Sequence, residues 1–143
     1  MQLTTQTDLA LRTLMYLATT GERTTAAEVA QLYRVSQHHL AKVMNQLRRL
    51  GYLRSIRGIG GGVELARTPD AIRLGEVIEA FEGSMHLLDC VVTQEVCAIE
   101  SFCRLKGVLA EAERVQMEYL NSRTLADVAP TRREYGRVRA KQE

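Results

Sequence analysis

The sequence predicts a mainly α fold with one small β-hairpin. Apolar residues recur at three- and four-residue spacing in several separate stretches, the signature of helices that bury one face. A tight turn, Tyr33-Arg34-Val35, joins two of these stretches, and a glycine run from Gly58 to Gly62 divides two short β-like segments. Helix, turn, helix and hairpin in that order make a winged helix-turn-helix domain, here followed by a long C-terminal helix suited to pairing two chains.

The first helix is expected over Thr7 to Ala18, with Leu11, Leu14, Met15 and Ala18 on its apolar side and Gly21 as its stop. Asp8 and Arg12 stand four apart on it, where an ion pair contributes only about 0.3 kcal/mol. A second short helix starts at Thr25 and buries Ala26, Val29, Ala30 and Leu32. Ser36 then caps a third helix running to Leu50, with Leu40, Val43, Leu47 and Leu50 as its core stripe. Its opposite face carries Gln37, His38, Lys42, Asn45, Gln46 and Arg49, donors and acceptors gathered where a helix enters a major groove.

Gly51 closes that helix, Tyr52 to Ile56 and Val63 to Ala66 read as paired strands, and Arg54 and Arg57 lie on or beside the resulting wing. With Thr25 and Ser36 at the two helix starts and Gly60 in the wing turn, the predicted DNA contacts are Thr25, Ser36, Gln37, His38, Lys42, Arg49, Arg54, Arg57 and Gly60. A nucleotide-binding loop is excluded at GIGGGV, because no Gly-Lys-Ser/Thr and no βαβ unit accompany it. His38 and His39 are adjacent on a helix and point apart, so they do not jointly chelate one ion.

Another helix follows Pro69, with Leu74, Val77, Ile78 and Phe81 inward and Gly83 at its end. Residues 84–103 then form a long loop holding every cysteine of the chain: Cys90, Cys97 and Cys103. An odd trio cannot close into a full disulfide framework, and a metal centre of three thiolates plus one further ligand accounts for it better. Such a centre would also stabilise so long a loop in so small a protein. Structural zinc is disfavoured by the absence of a Cys-x2-4-Cys pair. A thiol–disulfide switch without metal stays open, while a nucleophilic Cys90 beside His86 lacks an orienting acid, so the chain is not expected to be an enzyme.

The last long helix, RLKGVLAEAERVQMEYL, places Leu105, Val108, Ala112, Val115 and Tyr119 on a heptad seam, widened by Leu109 and Leu120, for pairing with a second copy. The domain plan is therefore a reading head over 1–83 with its wing at about 52–67, the cysteine loop at 84–103, a dimerisation helix and short turn at 104–129, and a basic, disordered tail able to touch DNA at 130–143. Charge follows this plan although the net is only +2. Residues 1–67 hold nine Arg or Lys against four acids, 68–129 hold five against eleven, and the tail holds five against two. A basic head beside an acidic segment suits binding of a polyanion. Neither a signal peptide nor a membrane span is read from the chain, so a cytoplasmic protein with reduced thiols is expected.

In combination, LTTQTDLALR, AAEVAQLYRVSQHHLAKVMNQLRRLGYL, RGIGGGVELAR, LGEVIEAFEG and CAIESFCRLKGVL followed by TLADV resemble the iron-sulfur winged-helix repressors related to IscR. Within that family the likeness is to the nitric-oxide-sensing NsrR type and covers roughly residues 1–129. The resemblance implies a homodimer that binds palindromic double-stranded operator DNA and releases it on exposure to nitric oxide. It also implies a cluster held by Cys90, Cys97 and Cys103, with Asp8 of the partner subunit as fourth ligand. The IscR type instead places a histidine after the third cysteine, and this chain has none after His86, which points to a four-iron cluster first and a two-iron cluster second. The alternatives are an IscR-like regulator sensing iron-sulfur or redox status and the metal-free thiol switch.

Overall fold

The computed structural model describes residues 2–140. Seven helices and one hairpin follow the order α1 Thr5–Thr20, α2 Ala26–Tyr33, α3 Gln37–Arg49, β1 Leu53–Ile56, β2 Gly62–Leu65, α4 Leu74–Glu82, α5 Arg104–Asn121, α6 Leu125–Val128 and α7 Arg132–Ala140. Among the described residues no helix is long and apolar enough to cross a membrane.

α1 is the centre of the packing. It contacts α3, α4, α6 and β2, and Leu9, Ala10, Leu14, Tyr16 and Leu17 are all buried. The expected single stripe is thus corrected: Leu14 is fully buried, but Leu11, Met15 and Ala18 are only half-buried. A helix packed from several sides needs no one-sided pattern. It also buries Thr7 and Thr13, and Thr13 is satisfied by donating to the Leu9 carbonyl at 2.7 Å.

Thr4 caps the start of α1 by accepting from the Thr7 N–H, and this cap is braced from another helix. Glu82, the last residue of α4, accepts from the Thr4 N–H at 2.7 Å, the Thr4 hydroxyl at 2.9 Å and the Thr7 hydroxyl. The Thr7 hydroxyl, followed by the Thr4 groups, holds the Glu82 carboxyl below the usual carboxylate range. This one side chain therefore ties the end of α4, and the loop that leaves it, to the first turn of α1. At its other end α1 stops at Gly21, whose left-handed φ of 63° lets its N–H reach the Leu17 carbonyl.

α2 begins with a reciprocal capping box between Thr25 and Glu28, and α3 with Ser36 accepting from the His39 N–H. The buried stripe of α3 is Leu40, Val43, Met44 and Leu47. Leu50 lies outside it, 37% exposed, because the helix ends at Arg49 and Gly51 turns the chain away with φ 80°. The hairpin pairs Leu53 with Leu65 and Ile56 with Gly62. Thr24 adds a bridge to Val63, with N–O distances of 2.8 and 2.9 Å. A Cβ on Gly62 would lie 2.4 Å from the Thr24 carbonyl oxygen, so glycine is required where the wing is anchored to the head.

The helix expected after Pro69 is α4, preceded by a short 3-10 turn and ended at Gly83. α6 closes the far side: the Leu125 N–H donates to Ile72 at 2.8 Å, the Leu74 N–H to Arg123 at 3.0 Å, and Ile72 and Leu125 are fully buried. α5 packs on α4. Leu105, Val108, Val115 and Tyr119 of its heptad seam are each at least half exposed, and Ala112 is exposed too. Leu109 and Leu120, expected to widen the seam, are half-buried instead.

The tail corrects an expectation. Instead of being disordered, residues 132–140 form α7, begun by a capping box in which Thr131 and Glu134 exchange hydrogen bonds. Tyr135 docks it, meeting Tyr16 edge to face at 5.7 Å and Tyr33 at 6.5 Å, with the Tyr33 and Tyr135 hydroxyls bonded to each other. Burial, then the bond to Tyr135, pushes the Tyr33 phenol far above its ordinary range, so the pair stays protonated. Residues 141–143 of the expected tail lie outside the described residues. Composition showed the charge of this segment, whereas its order rests on contacts with distant residues, those of Tyr135 among them.

Glu82 sets a pH dependence. Its folded pKa is lowered, so its contribution is complete above the unfolded carboxylate value and is lost as pH falls through the folded one. Glu82→Gln is expected to lower the melting temperature by roughly 2–4 °C at pH 7. In calorimetry the gap to wild type should close below about pH 4.

Candidate functional site

The reading head presents α3 with Gln37, His38, Lys42, Asn45 and Arg49 all exposed, and with Ser36 at its start. The side chains opposite these are the buried stripe, so the polar row is held rigidly at the surface. His38 and His39 are both exposed, with ring centroids 6.2 Å apart and tilted, not aimed at one point. Thr25 is exposed at the start of α2, its hydroxyl engaged in the capping box.

On the wing the two predicted cations differ. Arg54 is paired with Glu64 across the strands, Nε to Oε1 at 2.5 Å, which offsets part of its charge. Arg57 stands exposed at the turn, and Ile59 projects fully into solvent at its tip. Gly60 has a left-handed φ of 70°, and a Cβ there would come within 3.0 Å of the Arg23 guanidinium. Arg48 donates to Ser55 at 3.2 Å and so couples α3 to the wing.

Sequence reasoning missed Arg23 and Arg48 as parts of this surface. Neither stands on the pattern used to choose contacts: Arg23 precedes α2, and Arg48 is at the end of α3 beside the selected Arg49. A groove of about 700 Å³ also opens between the start of α1 and α3, lined by Thr5, Gln6, His39, Lys42, Arg48 and Arg49. Its cations adjoin the polar face of α3 and enlarge the surface that favours a polyanion.

The cysteine loop is built differently. None of residues 84–103 is buried, and its only regular pieces are the 3-10 turns Asp89–Val91 and Glu100–Phe102. Cys90 is half-buried in the first turn, Cys97 is exposed, and Cys103 is half-buried immediately before α5. All three are free thiols. Among the described residues no three Cys, His, Asp or Glu side chains, these thiols included, are gathered in metal-binding geometry.

Charged contacts hold the loop at its ends. Glu113 of α5 accepts the Leu87 N–H at 2.6 Å and contacts His86 Nδ1 at 3.0 Å; the His86 contact, then the Leu87 N–H, lowers its pKa. Lys106 pairs with Glu100 at 2.5 Å, and Glu100 also accepts the Glu95 N–H at 2.6 Å. The expectation that no acid orients His86 is thereby corrected, since Glu113 holds its Nδ1. Between these ties Val92, Val96, Ile99 and Phe102 stand exposed, Phe102 at 71%. Asp8 lies on α1 with its side chain 47% exposed and bonds Arg12 Nε at 2.8 Å. Arg12 in turn lies over the Tyr33 ring at 5.5 Å. The expected ion pair is thus present, while the single chain does not join Asp8 to the thiols.

Comparison with known proteins agrees with this architecture. Residues 3–131 match the family model Rrf2, described as an iron-dependent transcriptional regulator. The chain is 39% identical over 131 residues to the HTH-type transcriptional regulator NsrR of Shouchella clausii, covering 90% of this chain and 88% of that protein. Among solved structures it is similar to the global cysteine regulator CymR of B. subtilis, with a TM-score of 0.76, 27% identity and coverage of 90% and 96% of the two chains. It is similar also to IscR of T. potens, with a TM-score of 0.70, 26% identity and coverage of 89% and 85%. Winged-helix head, exposed α3 face and family match lead to one conclusion: the chain belongs to the Rrf2 family of transcriptional regulators, and is a DNA-binding regulator rather than an enzyme.

Proposed function

We propose that this regulator is a homodimeric repressor that carries an iron-sulfur cluster on its cysteine loop and releases a palindromic operator when exposed to nitric oxide. The observation that carries the reading is the loop itself, three free thiols on a segment without one buried residue. A loop with so little packing of its own gains order from a bound group. The donor set fits such a group: Cys90, Cys97 and Cys103 provide three thiolates, and Asp8 of the partner subunit is the proposed fourth ligand. A carboxylate is a weaker iron ligand than a fourth thiolate and suits a centre meant to respond. When bound, the cluster supplies iron sites reactive toward nitric oxide, with four irons preferred over two. The likeness to a relative named NsrR supports nitric oxide as the signal.

The protein supplies the rest. The exposed seam of Leu105, Val108, Ala112, Val115 and Tyr119 is the surface for a second copy, which would set two α3 faces on successive half-sites. Gln37 and His38 lead α3 into the major groove, while Thr25, Ser36, Lys42 and Arg49 meet the backbone. Arg54, Arg57 and Gly60 bring the wing to the adjacent groove. A metal-free thiol switch is the second reading, supported by the three free thiols and by the likeness to CymR.

The two readings separate on iron. Protein purified without oxygen should contain iron and sulfide, bind operator tightly, and lose at least tenfold in affinity as nitric oxide is titrated in. Cys97→Ser should abolish the iron absorption, and Asp8→Ala should retain iron poorly or respond weakly. Full operator affinity in iron-free wild type, unchanged by nitric oxide, would contradict the proposal.

The DNA-facing side chains separate by role as well. Lys42→Ala should weaken binding to every sequence and lower the salt slope by about 1. Gln37→Ala should instead lose roughly 10- to 100-fold discrimination at one base position, readable by competition among operator variants.

A further inference from the structure

α7 lies beyond the part of the chain that matches the family model, yet it is built onto the head rather than trailing from it. Tyr135 fixes one face against Tyr16 and Tyr33. Thr19 donates to the Pro130 carbonyl at 2.5 Å, and Arg132 reaches both the Thr20 carbonyl and Glu22, the latter at 3.5 Å. These contacts fix the helix along one side. Arg133 and Arg137, four residues apart, share a face turned well away from Tyr135, and both are exposed.

The position of α7 matters as much as its charge. It closes one wall of a cleft whose other wall includes Glu22, Arg23 and Glu28. Arg23 is the residue that covers Gly60 in the wing turn, and the next residue, Thr24, is bridged to Val63 of β2. The docked helix therefore adjoins the root of the wing. Arg132 is partly offset by Glu22, whereas Arg133 and Arg137 are exposed and make no salt bridge within 4.0 Å among the described residues, although the charge of Arg137 acts on Glu134.

We propose that α7 is a docked basic arm whose Arg133 and Arg137 contact DNA phosphates flanking the base pairs read by α3 and the wing. The inference rests on the head being a DNA reader and adds a second, sequence-independent surface to it. Binding to phosphates carries no base preference, so the arm lengthens the footprint and raises the salt dependence without altering operator choice.

The test uses the full-length chain and two duplexes, the operator alone and the operator extended by flanking base pairs. Wild type should bind the extended duplex more tightly and with the steeper salt slope. Arg133→Gln/Arg137→Gln should remove that advantage, with a slope lower by roughly 0.9 for each phosphate no longer neutralised and roughly tenfold weaker binding at moderate salt. Its binding to the short duplex should be unchanged. Tyr135→Ala, which keeps both charges but removes the anchor, should forfeit most of the same advantage. Wild-type affinity and slope of the double variant on the extended duplex would overturn the inference alone, as would equal weakening on both duplexes or full retention by Tyr135→Ala. Failure of wild type to bind either duplex would overturn the reading head as well.

Discussion

The burial of α1 is the constraint on which the rest of this molecule depends. Its buried side chains face α3 on one side and α4 and α6 on another, so the reading head and the limb bearing the cysteine loop share one core. Two separate cores could drift independently, but a common helix cannot change its packing for one neighbour without the other feeling it. Glu82 strengthens the arrangement by bracing the cap of α1 from the residue that ends α4. The loop thus begins two residues after the side chain that braces the cap of α1, in whose first turn Asp8 also lies.

The cysteine loop obeys the opposite rule. Without buried residues, and with Val92, Val96, Ile99 and Phe102 exposed, it lacks the apolar burial that gives the head its definition. Its order comes from polar ties through Glu113 and Glu100 and from the packing of its first 3-10 turn on α5. Under the proposed function, low local stability of this loop would let a small change in ligation alter its conformation at modest cost.

Much of this was legible in the sequence, and the exceptions are physical. Elements whose burial is one-sided read well: α2 and most of α3 show a clear period. α1 misled because it is covered from several sides, so Leu9, Ala10 and Tyr16 count as much as Leu14. Leu50 misled because a helix stop one residue earlier took it off the stripe and Met44 filled the core. The order of the tail was hidden because it depends on Tyr135 meeting Tyr16 and Tyr33, more than a hundred positions away, and local composition carries no trace of so distant a partner. The three thiols were visible at once, and the Asp8–Arg12 pair followed from spacing alone. How the thiols lie relative to one another was not legible, since no local propensity sets the path of a loop without buried residues.

Native mass spectrometry of anaerobically prepared protein with its operator, before and after nitric oxide, tests the central claim most directly. The account predicts a dimer whose added mass corresponds to iron and sulfide in each subunit, bound to one duplex, with that complex dissociating after nitric oxide. A metal-free dimer that stays on the duplex under both conditions would contradict it.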